Sequence, residues 1–362
     1  MPIENPFPGS AGLPQLSGRP MVTDGGLETD LIFNHGVDLP DFAAFPLLDD
    51  EAGRRLLTGY YDDYAAIAAR AGAGLLLESP TWRANPDWGS RLGCSVDDLT
   101  RVNVASIAFL QALRDRYAAH LEDIVVSGVI GPRGDGYRSD GAPDPDEAAR
   151  YHRPQVVAFA EAGADVVTAL TLTDPGEAIG IVRASREAGL PVAISFTVEV
   201  DGRLPDGTPL SEAVTVVDAA ASPDYYLVNC AHPQHVLAAL APGASGASGV
   251  ENDWGSRILG MRYNASTRSH AELDEADDLD AGDLAVLARG HAQVTHQVGP
   301  LTVIGGCCGT DASHVAALWG VWRCPSDATP RTSPQPGCRA RSRSGSGRRP
   351  GRRVCRSSRG SR

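Results

Sequence analysis

At 362 residues, 42% of them hydrophobic and 21% charged, the chain has the length of one large α/β domain and is too apolar to be disordered throughout. No apolar run approaches the ~18 residues of a membrane span, and residues 1–20 carry no basic segment followed by an apolar one, so a cytoplasmic protein without a membrane partner is expected. The net charge of −13 is asymmetric: residues 323–362 hold twelve arginines and one acid, Asp327, which leaves a body too acidic to bind nucleic acid over its main surface.

Short aliphatic or β-branched runs recur along the chain with helical stretches between them, the pattern of a parallel sheet with crossover helices. Eight are predicted as strands: Met21–Thr23, Gly74–Leu77, Ile124–Ser127, Val166–Ala169, Val192–Phe196, Tyr225–Val228, Ile258–Arg262 and Leu301–Ile304. Between them, Asp97–Ala118 and Pro154–Ala162 show apolar periodicity near 3.6, and Ala71-Gly72, Ala162-Gly163 and Ala188-Gly189 mark helix ends. Pro132–Asp146 and Asp201–Pro209 read as long loops after strands 3 and 5. Eight β/α units predict a single (β/α)8 TIM barrel over residues 1–321, with a doubly wound open sheet as the alternative. From Trp322 the composition turns to Arg, Ser, Gly and Pro, which cannot bury a core. This 322–362 segment reads either as a basic tail for RNA or an acidic surface or, preferably, as the product of a shifted reading frame.

Seven cysteines, an odd number at irregular spacing, favour thiols as ligands or nucleophiles over a disulfide set. In a β/α barrel the reactive groups stand just past the strands. Here those positions give Asp24-Gly25-Gly26-Leu27-Glu28 after strand 1, Glu78 after strand 2, Thr197 and Glu199 after strand 5, Asn229-Cys230 after strand 6, Asn264 after strand 7 and Gly305-Gly306-Cys307-Cys308-Gly309 after strand 8. Cys230 can face Cys307 and Cys308 across the barrel mouth, given a sharp turn that Gly305, Gly306 and Gly309 permit. Three sulfur ligands and one open position suit a catalytic Zn2+. Two buried small residues or a vicinal disulfide is the other reading of the pair. Cys94 has no such company and reads as structural; His232, His235 and His314 read as caps or surface residues. Asp24, Gly25, Glu28, Glu78 and Asn229 are the candidate substrate contacts, with Asp-Gly-Gly as a mere tight turn the alternative at strand 1. Trp82, Trp88 and Trp254 lie in loops on the same side, where aromatic faces could hold a cation or simply pack.

Thr23-Asp24-Gly25-Gly26, Gly131-Pro132, Val228-Asn229-Cys230 and Gly305-Gly306-Cys307-Cys308-Gly309-Thr310 together resemble the homocysteine S-methyltransferase family in order and spacing, over about residues 15 to 320. The resemblance implies a zinc-dependent barrel that moves a methyl group from an onium donor to homocysteine, giving methionine, with Cys230, Cys307 and Cys308 as the ligands and Asp24 as the carboxylate that meets the acceptor amino acid. S-methylmethionine, S-adenosylmethionine and a betaine-like compound are the donors considered. No cofactor beyond zinc and no side-chain catalyst beyond the metal-activated thiol are implied, and the partners are the two small molecules. The chain departs from the family at Leu170, where an acid before Thr171 is expected. That leaves two alternatives: the same chemistry on another thiol or a selenol, and a non-catalytic zinc-binding protein.

Overall fold

A computed structural model describes residues 12–139, 141, 143–241, 254–276 and 278–321. The arginine-rich segment from Trp322, with Cys324, Cys338 and Cys355, lies outside the described residues.

Eight parallel strands form a closed barrel in sequence order: β1 (Met21–Val22), β2 (Gly74–Glu78), β3 (Ile124–Ile130), β4 (Val166–Leu172), β5 (Val192–Phe196), β6 (Tyr225–Ala231), β7 (Ile258–Tyr263) and β8 (Val303–Gly306). Pairing of Met21 with both Gly74 and Val303 closes the ring, which excludes the open sheet. Every predicted strand is present. Strands β2, β3, β4, β6 and β7 run one to three residues further than predicted: Asn229 keeps its ladder pairing with Arg262 at the barrel mouth, and β4 passes through an irregularity at Thr171 before Leu172 pairs with Phe196. β8 starts later and reaches Gly306.

Among the described residues eight helices cover the barrel: α1 (Glu51–Ala71), α2 (Val96–Tyr117), α3 (Pro145–Ala162), α4 (Pro175–Glu187), α5 (Leu210–Ala220), α6 (Pro233–Leu240), α7 (Leu284–Val298) and α8 (Ala312–Leu318). Their ends follow from local chemistry. Asp50, Ser95 and Asp174 accept hydrogen bonds from the third residues of α1, α2 and α4, and Gly72 and Gly163 leave α1 and α3 in the left-handed conformation. Helix α3 corrects an expectation. It starts at Pro145, capped by Asp144, and runs through Pro154 rather than starting there. Pro154 is on the exposed face, where water can satisfy the carbonyl it leaves unpaired.

Inside the barrel, Met21, Leu76, Val125, Val166, Ala193, Tyr225 and Val303 form a cluster with Leu13, separate from the larger layer between strands and helices. Gln15 donates to the Tyr225 hydroxyl at 3.3 Å beside it. The packed interior leaves the C-terminal strand ends as the place for a ligand. Among the described residues no helix is long and apolar enough to cross a membrane.

Candidate metal and substrate site

The three cysteines converge. The sulfurs of Cys230, Cys307 and Cys308 all lie within 4.8 Å of one another, at the ends of β6 and β8. A tetrahedral centre with bonds of about 2.3 Å separates its sulfurs by roughly 3.8 Å, so the cluster fits such an ion, and three soft thiolates suit zinc. All four described cysteines are free, so Cys307 and Cys308 are not joined as a vicinal disulfide. Cys94 packs against the core away from this cluster.

Backbone strain brings the sulfurs together. Cys230 has φ 53° and Thr171 φ 62°, values that cost a β-branched or bulky residue about 1–3 kcal/mol. Asn229 braces both: its amide oxygen accepts from the Thr171 backbone (2.7 Å) and Ser195 Oγ (2.7 Å), while Nδ2 donates to Thr171 Oγ1 (2.8 Å) and Cys307 Sγ (3.6 Å). Asn264 Nδ2 donates to Cys230 Sγ at 3.7 Å. His270 Nε2 bonds the Cys230 carbonyl at 2.8 Å, and its Nδ1 meets Glu199 at 2.7 Å. Burial alone would depress the His270 pKa, but the Glu199 bond and charge raise it.

The glycines act in two ways. Gly309 has φ 78° and makes the turn after Cys308. Gly305 and Gly306 instead permit close approach, since a Cβ would strike Thr23 and Asp24 at the first and Thr310 at the second. A Cβ on Gly26 would run into the Cys307 carbonyl. Gly26→Ala is therefore expected to destabilise the protein by about 1–3 kcal/mol and to weaken metal retention, read from melting and metal content.

A cavity of about 190 Å³ opens over the sulfurs. It is lined by all five candidate substrate residues, Asp24, Gly25, Glu28, Glu78 and Asn229, and by Leu170. Asp24 and Glu78 both pair with buried Arg262, Asp24 at 2.6 Å. Arg262 also donates to the carbonyls of Gly25 and Gly306 at 3.0 Å each, tying β1, β2, β7 and β8 into one network. Tyr60 Oη donates to Asp24 at 3.1 Å, and Thr23 Oγ1 to Glu78 at 2.6 Å. Burial raises the Asp24 carboxyl despite Arg262, and pushes Glu28 up to about 7, with the Asp24 and Cys307 charges adding to it. Hydrogen bonds from the Cys230 and Cys308 thiols hold the Cys307 thiol well below its usual range.

Several residues here carry no motif. Tyr137, from the loop after β3, places its hydroxyl 3.0 Å from Cys230 Sγ and 3.1 Å from Cys308 Sγ, with its ring stacked on His270. Arg262 ends a predicted strand, and its position at the barrel mouth was the available signal. Of the three tryptophans, Trp82 lines the cavity, its Nε1 donating to the Leu170 carbonyl at 3.4 Å; Trp88 and Trp254 are not among the lining residues. His232 caps α6 and His314 sits in a capping box, but His235 is neither cap nor surface: it is buried, bonded to the Thr267 carbonyl. None of the three joins the cysteine cluster.

The family profile described as Homocysteine S-methyltransferase matches residues 21–320, the whole barrel from β1 to just past α8. The chain belongs to the homocysteine S-methyltransferase family. It is 26% identical over 318 residues to homocysteine S-methyltransferase YbgG of Bacillus subtilis, covering 82% of this chain and 93% of that protein. It is 25% identical over 313 residues to the homocysteine S-methyltransferase of Escherichia coli, covering 82% and 94%. The fold matches crystal structures of the Escherichia coli homocysteine methyltransferase MmuM. Its metallated form, 22% identical, gives a TM-score of 0.63 over 83% of this chain and 96% of that one. The chain is thus a methyltransferase on a TIM barrel, with a three-cysteine cluster able to hold a metal.

Proposed function

We propose that this protein transfers a methyl group from an onium donor to the thiol of homocysteine, giving methionine, with Zn2+ held by Cys230, Cys307 and Cys308. The observation that carries this reading is the convergence of the three sulfurs beneath a cavity, in a chain of this family. When bound, zinc acts as a Lewis acid that lowers the pKa of a coordinated thiol, so the acceptor reacts as its thiolate at neutral pH. The chain's own residues supply the rest. Asn229, Asn264 and Tyr137 sit within hydrogen-bond reach of the sulfurs and fix their directions. Gly25 and Asp24 form the wall against which the acceptor's amino-acid end lies, which positions the thiol for attack. Trp82, Phe33 and Phe42 line the same cavity together with Asp135 and Asp274, a combination suited to a cationic donor whose charge disappears as the methyl leaves.

Leu170 supports a second reading, in which the acceptor is a thiol without an α-amino group, because its side chain offers no hydrogen-bond acceptor to an ammonium. A screen of the three donors against homocysteine and a des-amino thiol separates the two. Methionine formation supports the first reading; turnover of the des-amino thiol alone supports the second. Full metal content with no turnover of any thiol or selenol would favour a non-catalytic protein.

The barrel is proposed to end with α8, and the segment from Trp322 to be dispensable. Val321 is the last described residue and still packs on the core, so truncation directly after it is expected to leave melting temperature and metal content unchanged. A large loss of either would show that the segment contributes to the barrel.

A further inference from the structure

We propose that Glu28 is the residue that reads the α-ammonium group of the acceptor, and so sets specificity for an amino-acid thiol; the inference rests on the homocysteine reading above. Three carboxylates line the cavity from the ends of β1 and β2, Asp24, Glu28 and Glu78, while Asp135, Asp274, Asp278 and Asp280 line it from the loops after β3 and β7. Two of the first three are engaged. Asp24 takes Arg262 on one oxygen and Tyr60 on the other. Glu78 takes Arg262 and Thr23 on Oε2, and its Oε1, though unpartnered, has no exposed surface for a ligand to reach. Glu28 differs from both. Its carboxylate bonds only to its own backbone amide; Arg262 acts on it through space, but no cation forms an ion pair with it among the described residues. It is half-buried and faces the cavity from the short helix Leu27–Thr29.

The charge balance points the same way. One guanidinium, that of Arg262, serves both Asp24 and Glu78, and Glu28 adds a third acid beside them with no ion-pair partner of its own among the described residues. A partly buried carboxylate without a cation is costly unless a ligand supplies one. The other polar groups on the opposite wall are taken: Thr171 is bonded to Asn229 through both its amide and hydroxyl, and Ser79 Oγ to Thr81 and the Val129 amide. Leu170 contributes only an apolar surface. Among the acids that the ends of β1 and β2 bring to the cavity, an amino acid whose thiol lies at the cysteines therefore finds Glu28 as the uncommitted acceptor for its ammonium.

The test compares homocysteine with 4-sulfanylbutanoate, which keeps the thiol and carboxylate and lacks the amine, on zinc-loaded full-length protein. Dissociation constants and steady-state parameters would be measured for wild type, Glu28→Gln, Glu28→Asp and Asp24→Asn. Glu28→Gln is expected to raise Kd and KM for homocysteine about ten- to a hundredfold, the size of a lost charge-assisted hydrogen bond, with kcat and zinc content little changed. Affinity for 4-sulfanylbutanoate should stay within about twofold, and Glu28→Asp should recover part of the loss. Equal losses for both thiols, no loss for either, or a selective loss in Asp24→Asn with none in Glu28→Gln would overturn the assignment. Failure of the wild type to bind homocysteine would overturn the underlying reading and this inference with it, and would be evident before any variant is made.

Discussion

Cys308→Ala is expected to strip the protein of bound metal and of methyl transfer together, and Cys230→Ala and Cys307→Ala should do the same. Two remaining thiolates leave an open, water-filled coordination shell, and structural or catalytic zinc sites rarely persist on fewer than three protein ligands. The prediction is sharpened by how little else is nearby. Among the described residues the three sulfurs form the one group of potential ligands close enough to share an ion, and no histidine stands ready to substitute. Cys94→Ala, at a half-buried position packed on the core, should keep full metal and activity. Metal analysis of the four purified variants, with circular dichroism to verify folding, gives the answer. Full zinc in Cys308→Ala would remove that residue from the ligand set.

Arg262→Met is expected to cost about 3–5 kcal/mol of stability, because it leaves two buried carboxylates facing each other without their cation. Glu78→Gln in the same background should recover a substantial part, since it removes one of the orphaned charges. The loss should also depend on pH. Burial already raises the Asp24 carboxyl while Arg262 opposes the shift, so removing the arginine raises it further. A folded-state pKa above the unfolded value means that the native state binds more protons. The variant's stability therefore falls as pH rises from the ordinary carboxylate range near 4 through the elevated folded value. Denaturant melts of wild type, single and double variants at pH 5 and pH 8 test this. A loss below about 1 kcal/mol, or one independent of pH, would mean that the network is hydrated and interchangeable with an apolar contact.

The barrel was legible because its buried parallel strands are short β-branched runs set apart by long helical stretches, as at Val192–Phe196, where expectation and structure coincide. Strand ends were less so. Asn229 is polar, and Cys230 and Thr171 adopt positive φ at irregularities of their strands, so how far β4 and β6 run is decided by tertiary contacts rather than by local propensity. Helix α3 shows the same limit: both Pro145 and Pro154 can start a helix, and the Asp144 cap decides between them. The cysteines were legible because two strand ends carried them in a glycine-rich setting. Tyr137 was not, because its loop fixes no spacing to the strands and its hydroxyl reaches the sulfurs only through the stack on His270. Nor was the engagement of Asp24 and Glu78, since it depends on Arg262, more than 180 residues away in the chain. Sequence reading favours Asp24 as the amine-binding group; in the structure Asp24 is ion-paired, whereas Glu28 forms no ion pair among the described residues, which is why we propose the latter.

The decisive measurement is methionine formation from homocysteine by the wild-type protein, with each of the three donors, before metal removal, after chelation and after reloading with zinc. Methionine should form with at least one donor, cease when the metal is removed and return when zinc is restored at one atom per chain. Undiminished methionine formation by protein shown to be free of metal would contradict a mechanism built on Cys230, Cys307 and Cys308.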